Sequence, residues 1–324
     1  MGRVFVVGSY NNDLVWDVDA LPLPGETRRG HAFRTGPGGK GFNQAIAAAR
    51  QGAATVFISA LGDDALAEAA RRLAHAENMD ARWQVAYGVA TGTAGIWVDR
   101  EGRNSIVVAL GANDHLAVEH VLAATNDLQS SDVVLMPMEG PIESMHAARD
   151  AARRAGACLI LNPAPVHAEL DATLLATVDL ITPNETEFAT LLGRFCGADL
   201  ASSDVAGLPD DALASLCAEL SAPAVLITLG AAGSVLHVGP NSRWANTDAG
   251  TWRIATPKVK AIDTTAAGDA FNGALAAALA EGTNLSLKNA ALHASRVAAL
   301  STERKGAALS IPKAVEVRQR FDSP

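Results

Sequence analysis

Short apolar runs that close on small or polar residues alternate with helix-patterned segments along most of this 324-residue chain. The runs Val4 to Gly8, Thr55 to Ala60, Asp132 to Met138, Ala157 to Leu161, Val178 to Thr182 and Ala224 to Leu229 have the length and apolar character of buried strands. Helical patterns cover Lys40 to Gln51, Asp63 to Ala76, Glu143 to Ala155, Ala168 to Ala176, Glu185 to Leu192 and Asp210 to Leu220. A continuously apolar strand is buried on both faces, and helices on both sides of a parallel sheet achieve that burial. The expected fold class is therefore α/β, a parallel sheet in one three-layer α/β/α domain over residues 1–324. Two long helices, Gly268 to Glu281 and Leu285 to Ser301, and a short one from near Pro312 follow the last strand.

One region breaks the alternation. Trp83 to Tyr87, Thr93 to Asp99 and Ser105 to Leu110 read as strands with no helix between them, and Arg100-Glu101-Gly102-Arg103 reads as a hairpin turn. With Leu14 to Thr35 they predict a small antiparallel β sheet projecting from the domain, a lid built within 14–35 and 83–110. Extra edge strands on the main sheet are the other reading of the same pattern. A net charge of −9 with no basic block argues against a nucleic-acid partner. No apolar run approaches the roughly 18 residues of a membrane span. Cys158, Cys196 and Cys217 form no spaced framework. The expectation is a cytoplasmic protein with neither nucleic acid nor membrane as partner.

Chemistry concentrates in Asp263-Thr264-Thr265-Ala266-Ala267-Gly268-Asp269-Ala270-Phe271-Asn272-Gly273-Ala274. Small residues ahead of a helix let its free N–H groups face outward, where they and the helix dipole attract anions. Asp269 beside that pocket suits a base that takes a proton from a hydroxyl attacking phosphorus. Taken alone, the residues equally allow an Asp that merely complements the dipole. In Gly36-Pro37-Gly38-Gly39-Lys40-Gly41-Phe42-Asn43, bare backbone at Gly39 and Gly41 permits close approach, and Asn43 offers an uncharged contact to hydroxyls. Asn11 and Asp13 follow the first run two residues apart, so in extended chain they point the same way. Asn184 and Glu187 have the spacing of a helix-capping pair; a functional reading sets Asn184 near phosphate and Glu187 on Mg²⁺ through water. Zinc spacing, a Gly-x-Ser-x-Gly elbow and a Gly-x-Gly-x-x-Gly after the first strand are not in the sequence.

These segments occur in the order found in the ribokinase-like (phosphofructokinase-B) family of carbohydrate kinases, which the chain resembles over nearly its whole length. Gly38 to Ala45 is similar to one family signature and Asp263 to Asn272 to the other. Asn162-Pro163-Ala164-Pro165, Ile181 to Glu187, Thr228 to Gly233 and Arg304-Lys305-Gly306-Ala307 agree in order and approximate spacing. The resemblance implies ATP-dependent transfer of the γ-phosphoryl group to the primary hydroxyl of D-ribose. Asp269 would be the base, and the backbone N–H groups of Ala266, Ala267 and Gly268 the anion hole. Asn11, Asp13, Gly39, Lys40, Asn43 and Glu139 fall where the sugar is held; Asn184, Thr228, Gly230, Gly233, Gly268 and Ser295 fall where ATP binds. Glu187 falls at the Mg²⁺ shell, and Asp263, Thr265, Ser301, Arg304, Gly306 and Ser310 at a site for K⁺ or another monovalent cation. The resemblance further implies a homodimer through the lid. Two positions depart from the pattern: Thr302-Glu303 replaces Val-Thr, and Ser295 replaces an Asn or His. Sister activities on 2-deoxyribose, fructose or a nucleoside, and a non-catalytic sensor on the same fold, remain the alternatives.

Overall fold

Val4, Phe5, Val6 and Val7 are fully buried, and their side chains divide alternately between two cores. Val4 and Val6 join Phe42, Ile46, Leu275 and Leu300 on one side, whereas Phe5 and Val7 join Met136, Met145, Leu161 and Phe188 on the other. That division is the period-two geometry of a strand between two helix layers. The computed structural model describes residues 1–282 and 286–322. Its strands are β1 (Val4–Val7), β2 (Asn11–Asp17), β3 (Ala32–Gly38), β4 (Thr55–Gly62), β5 (Asp80–Ala86), β6 (Thr93–Val98) and β7 (Asn104–Ala109). There follow β8 (Val133–Pro137), β9 (Cys158–Asn162), β10 (Leu180–Ile181), β11 (Ala224–Thr228), β12 (Ser234–Val238) and β13 (Gly250–Ile254). The helices are α1 (Lys40–Arg50), α2 (Ala65–Ala76), α3 (Val118–Ala124), α4 (Ile142–Ala155), α5 (Ala172–Thr177) and α6 (Glu185–Cys196). They continue as α7 (Asp210–Glu219), α8 (Ala245–Asp248), α9 (Ala267–Ala280), α10 (Leu287–Ser301) and α11 (Ala314–Phe321). None is long and apolar enough to cross a membrane among the described residues.

Nine strands form the main sheet in the order β13-β12-β11-β10-β9-β8-β1-β4-β5, with every neighbouring pair parallel except β11–β12 and β12–β13. From β1 the chain builds outward through β4 and β5, then returns to β1's other side with β8. The strand order therefore reverses between β1 and β8, and a crevice opens beyond their carboxyl ends. The antiparallel hairpin of β12 and β13 was not expected from the sequence. Helix α5 starts at Ala172, later than the pattern from Ala168 suggested, because the Asp171 side chain caps it by accepting from the Leu174 amide at 2.7 Å. Helix α10 starts at Leu287 after its cap Ser286; the expected first residue, Leu285, lies outside the described residues.

A separate four-stranded sheet has the order β3-β2-β6-β7. It corrects the expectation in two ways. The strand read at Trp83 to Tyr87 belongs to β5, paired parallel with β4 at the edge of the main sheet, where Trp83 packs on Phe57 and Phe42. And β2 pairs parallel with β6, although β2–β3 and β6–β7 are antiparallel. The direction follows from connectivity: β2 continues from β1 and β6 from β5, and both leave the same edge of a parallel sheet. The turn after Asp99 closes as expected, Asp99 Oδ1 accepting from the amides of Glu101 and Arg103.

Helix α9 is rich in alanine because it is buried almost all round, packed between α1 and α10. At Gly273 the two helix backbones nearly touch. A Cβ there would sit 2.2 Å from the Gln44 carbonyl oxygen and 2.5 Å from Ala47 Cβ. Gly273→Ala is therefore expected to destabilise the fold by about 1–3 kcal/mol through overpacking. Urea unfolding checks this, and an unchanged midpoint would show slack between α1 and α9.

Candidate active site

Five parallel strands deliver polar residues to one edge of the main sheet. Ser9 follows β1, Glu139 follows β8, Asn162 ends β9, Thr182 and Asn184 follow β10, and Thr228 ends β11. Across the crevice stand the N-termini of α1 and α9. Gly41 lets α1 approach β1 closely, since a Cβ there would fall 2.6 Å from Gly8 and Ser9 backbone atoms. Gly39 has φ of 86° and no room for a side chain beside the Asn11 amide, so the turn into α1 requires glycine.

Asp269 sits in the first turn of α9 and is buried. Its Oδ2 accepts from Asn43 Nδ2 at 2.9 Å and its Oδ1 from Gln44 Nε2 at 3.0 Å. Burial pushes its carboxyl above the usual range, while Lys40 and the two amide donors pull the other way. The buried Asn43 Oδ1 has no hydrogen-bond partner, an acceptor left for a ligand hydroxyl. Before α9, Ala266 takes the left-handed conformation at φ 59° and caps the helix without a side-chain hydrogen bond. The turn alters the expected donor set. The Ala267 amide donates back to the Thr264 carbonyl at 3.2 Å, whereas the amides of Ala266, Gly268 and Asp269 have no protein acceptor among the described residues.

The remaining predicted residues fall into three groups. Asp13, Lys40, Asn43 and Glu139 converge on Asp269, and Asn11 lies beside Gly39 at the start of β2. Glu139 Oε2 accepts from Ser9 Oγ at 2.5 Å and from the Lys40 amide at 2.9 Å. Asp13 lies against Gly38, where a Cβ would meet its carboxylate at 2.2 Å. Burial, and after it the charges of Glu139 and Asp269, push Asp13 up to about 7. The Lys40 ammonium stays charged although burial opposes it, because Asp269, Glu139 and Glu187 surround it. In the second group, Asn184, Glu187 and Thr228 line a cleft of about 540 Å³, counted to its open mouth, with Lys40 and residues Ala266, Ala267, Gly268 and Asp269. Gly230, Gly233 and Ser295 do not line it. Gly233 packs under Ile254 O, 2.2 Å from an added Cβ, a demand of the β11–β12 turn itself.

Asn184 and Glu187 form the expected capping box: Asn184 Oδ1 accepts from the Glu187 amide, and Glu187 Oε2 from the Asn184 amide, each at 2.9 Å. Asn184 Nδ2 also donates to Glu187 Oε1 at 3.0 Å. With both oxygens engaged, the carboxylate suits a hydrated Mg²⁺ reached through water rather than direct ligation. The third group joins two loops. Asp263 Oδ1 accepts from the Thr265 amide at 2.9 Å and Oδ2 from the Gly306 amide at 3.0 Å. Burial raises its carboxyl, but these donors outweigh that and hold it below the usual range. Ser301 and Ser310, both buried, direct their hydroxyl hydrogens to the carbonyls of Ala298 and Ala307, so each oxygen keeps its lone pairs as an acceptor or ligand. The Arg304 guanidinium turns away to Glu316. A set of carbonyl, hydroxyl and carboxylate oxygens, with no nitrogen or sulfur, fits a hard monovalent cation.

Sequence reasoning passed over Gln44, Asn113, Thr182 and Asn272 as site residues, and used Asn162 only as a motif. Asn113 clamps the start of β2: its Oδ1 accepts from the Tyr10 amide, and its Nδ2 donates to Tyr10 O and Asn11 Oδ1. Nothing local marks it in the sequence. Gln44 stands beside Asn43 in the glycine-rich motif and Asn162 closes a buried apolar run, signals legible only beside the tertiary contact. A second hollow, at the amino ends of β8 and β9 and lined by Asp132, Cys158, Arg243 and Trp244, gathers none of these groups.

Known proteins share this arrangement of sheet and loops. Residues 1–314 match the model of the pfkB family carbohydrate kinases. A ribokinase of Haemophilus influenzae is 38% identical over 308 residues, covering 95% of this chain and 94% of that one. The crystal structure of a Thermotoga maritima ribokinase superposes with a TM-score of 0.85 at 34% identity and covers 100% of both chains. An Arabidopsis thaliana ribokinase complexed with ribose and ATP gives a TM-score of 0.77 at 28% identity, again over 100% of both chains. A family match across nearly the full length, joined to a carboxylate and free helix amides at the switch point of the sheet, leads to one conclusion: the chain belongs to the pfkB family of carbohydrate kinases.

Proposed function

We propose that the protein is an ATP-dependent kinase that phosphorylates D-ribose at its primary hydroxyl, giving D-ribose 5-phosphate in the cytoplasm. The observation that carries this reading is the Asp269 carboxylate, buried at the start of α9 and gripped by two amides, with free helix N–H groups beside it. The likeness to ribokinases, one of them complexed with ribose and ATP, supports the choice of substrates. The polar set of Asn11, Asp13, Asn43 and Glu139 suits the hydroxyls of a free pentose. In the reaction the hydroxyl proton passes to Asp269, the sugar oxygen bonds to the γ-phosphorus, and the bond from that phosphorus to the β-phosphate bridging oxygen breaks to release ADP. The amides of Ala266, Gly268 and Asp269, with the Lys40 ammonium, receive the charge of the moving phosphoryl group.

Glu187 would hold Mg²⁺ through water, with Asn184 beside the nucleotide phosphates, and that ion when bound would supply charge neutralisation on those phosphates. Asp263, Thr265, Ser301, Gly306 and Ser310, with the Arg304 carbonyl, would hold a monovalent cation such as K⁺, which supplies rigidity to the loop ahead of α9. The second sheet serves as the lid that excludes water from the sugar. It also offers a dimer surface. All of β7 is exposed, with Ile106 at 50% and Val107 at 62%, and Asn104–Ala109 holds neither charge nor proline to protect that open edge. A second copy carries the same edge and covers this one.

Three outcomes are expected. Asp269→Asn folds normally but loses at least about 10³-fold in turnover, read as ADP release over a panel of ribose, 2-deoxyribose, fructose and adenosine. Near-normal turnover in that variant would remove the base assignment, a stronger response to another sugar would move the substrate, and ligand binding without ADP release would favour a sensor. Because burial pushes Asp13 up to about 7 and its ionised carboxylate accepts sugar hydroxyls more strongly than the acid, KM for the sugar is expected to fall as pH rises from about 6 to about 8. Asp13→Asn should lose that dependence; a flat wild-type profile contradicts it. Val107→Asp is expected to give a monomer in light scattering where the wild type is a dimer.

A further inference from the structure

A closed ring of buried polar side chains joins the Asp269 carboxylate to the backbone of its neighbour Gly268. Gln44 Nε2 donates one hydrogen to Asp269 Oδ1 at 3.0 Å and the other to Asn162 Oδ1 at 2.9 Å. Asn162 Nδ2 donates to the Thr182 carbonyl at 2.9 Å. Thr182 Oγ1 donates to Asn272 Oδ1 at 2.6 Å, and Asn272 Nδ2 to the Gly268 carbonyl at 2.9 Å. Gln44 is fully buried, and Asn162, Thr182 and Asn272 are each no more than 5% exposed.

The direction of each bond is dictated by the next. A carbonyl only accepts, so the Asn162 nitrogen must face Thr182 and its oxygen must face Gln44. An oxygen there admits only a donor, so Gln44 turns its nitrogen inward and both hydrogens are committed. Flipping the Gln44 amide would set its oxygen against two others. The native orientation leaves Gln44 Oε1 buried without a partner, and such a group costs free energy. Something else must favour that orientation, and the ring supplies it.

We propose that Gln44 is a positioning residue for phosphoryl transfer: its amide, oriented through Asn162 by the Thr182 carbonyl, fixes the Asp269 carboxylate in place and keeps it ionised. This role presupposes that Asp269 is the base of the kinase reaction. The charged groups facing Asp269 are Lys40 from α1, Glu139 after β8, Asp13 from β2 and Glu187 from α6. Lys40 is the single cation among them, so the neutral donors Asn43 and Gln44 counter what burial and like charges do to the carboxylate. Removing a donor favours the protonated acid, and the acid limb of the rate profile then moves to higher pH.

The test measures the pH dependence of kcat, at saturating ATP and saturating levels of whichever sugar the wild type phosphorylates, for Gln44→Met and Asn162→Leu. Saturation reports the groups of the complex and keeps free-enzyme titration of the sugar site out of the profile. Gln44→Met is expected to lower kcat by about 10- to 100-fold, leave both KM values within about threefold, and raise the acid limb by about one pH unit, the scale of one charge-assisted hydrogen bond. Asn162→Leu, which does not touch Asp269, should move the limb the same way by less. Acid limbs that overlay the wild type in the folded variants overturn the positioning role, whatever happens to kcat. If Gln44→Met fails to fold by circular dichroism, Asn162→Leu decides alone. Asp269→Asn separates the two levels: if it stays active, base and positioning role fall together, and if it is inactive while the limbs do not move, the positioning role alone falls.

Discussion

The contact between the Asp269 carboxylate on α9 and the two amides on α1 holds the candidate site together. It joins residues 226 and 225 positions apart in the chain and requires both helices to begin at the same depth in the crevice. Backbone closeness makes that arrangement sterically available. Gly41 seats α1 against β1, and Gly273 seats α9 against α1, each where a side chain would collide with main-chain atoms. The small residues of α9 thus serve packing first, and the chemistry at its N-terminus depends on that packing. A helix start supplies unpaired N–H groups at no further structural demand, so placing two helix starts together yields a carboxylate and an anion site side by side.

Electrostatics in the crevice run against folding stability. Asp13, Glu139, Glu187 and Asp269 crowd around Lys40, and burial with like-charge repulsion raises Asp13, Glu187 and Asp269. A core residue set chosen for stability would not gather so many carboxylates around one cation. In the proposed reaction, sugar hydroxyls and nucleotide phosphates with their metal would bring a donor or a counter-charge to these acceptor oxygens. Perturbed carboxyls grouped in a crevice are the pattern expected of a site that performs proton transfer.

The second sheet gives the site its upper wall. Because only three residues separate β1 from β2, Asn11 and Asp13 are carried from the main sheet straight into the covering sheet, and Asn113 anchors that passage by clamping Tyr10 and Asn11. The wall is therefore joined directly to residues of the proposed sugar site.

The sequence by itself determined the α/β class, the helix start at Lys40, a long helix opening at Gly268, one residue inside the observed α9, the capping pair Asn184 and Glu187, and Asp269 as the acid beside a helix terminus. All of these are written in local signals: apolar runs, glycine turns and capping residues act within a few positions of themselves. Tertiary structure alone decided that Trp83 belongs to the main sheet, that β2 and β6 run parallel, and that the Ala267 amide turns back to Thr264. It alone revealed Gln44, Asn113, Asn162, Thr182 and Asn272 as supports of the site. Their partners lie up to 225 residues away, and a polar side chain in a buried element gives no local sign of which distant group satisfies it.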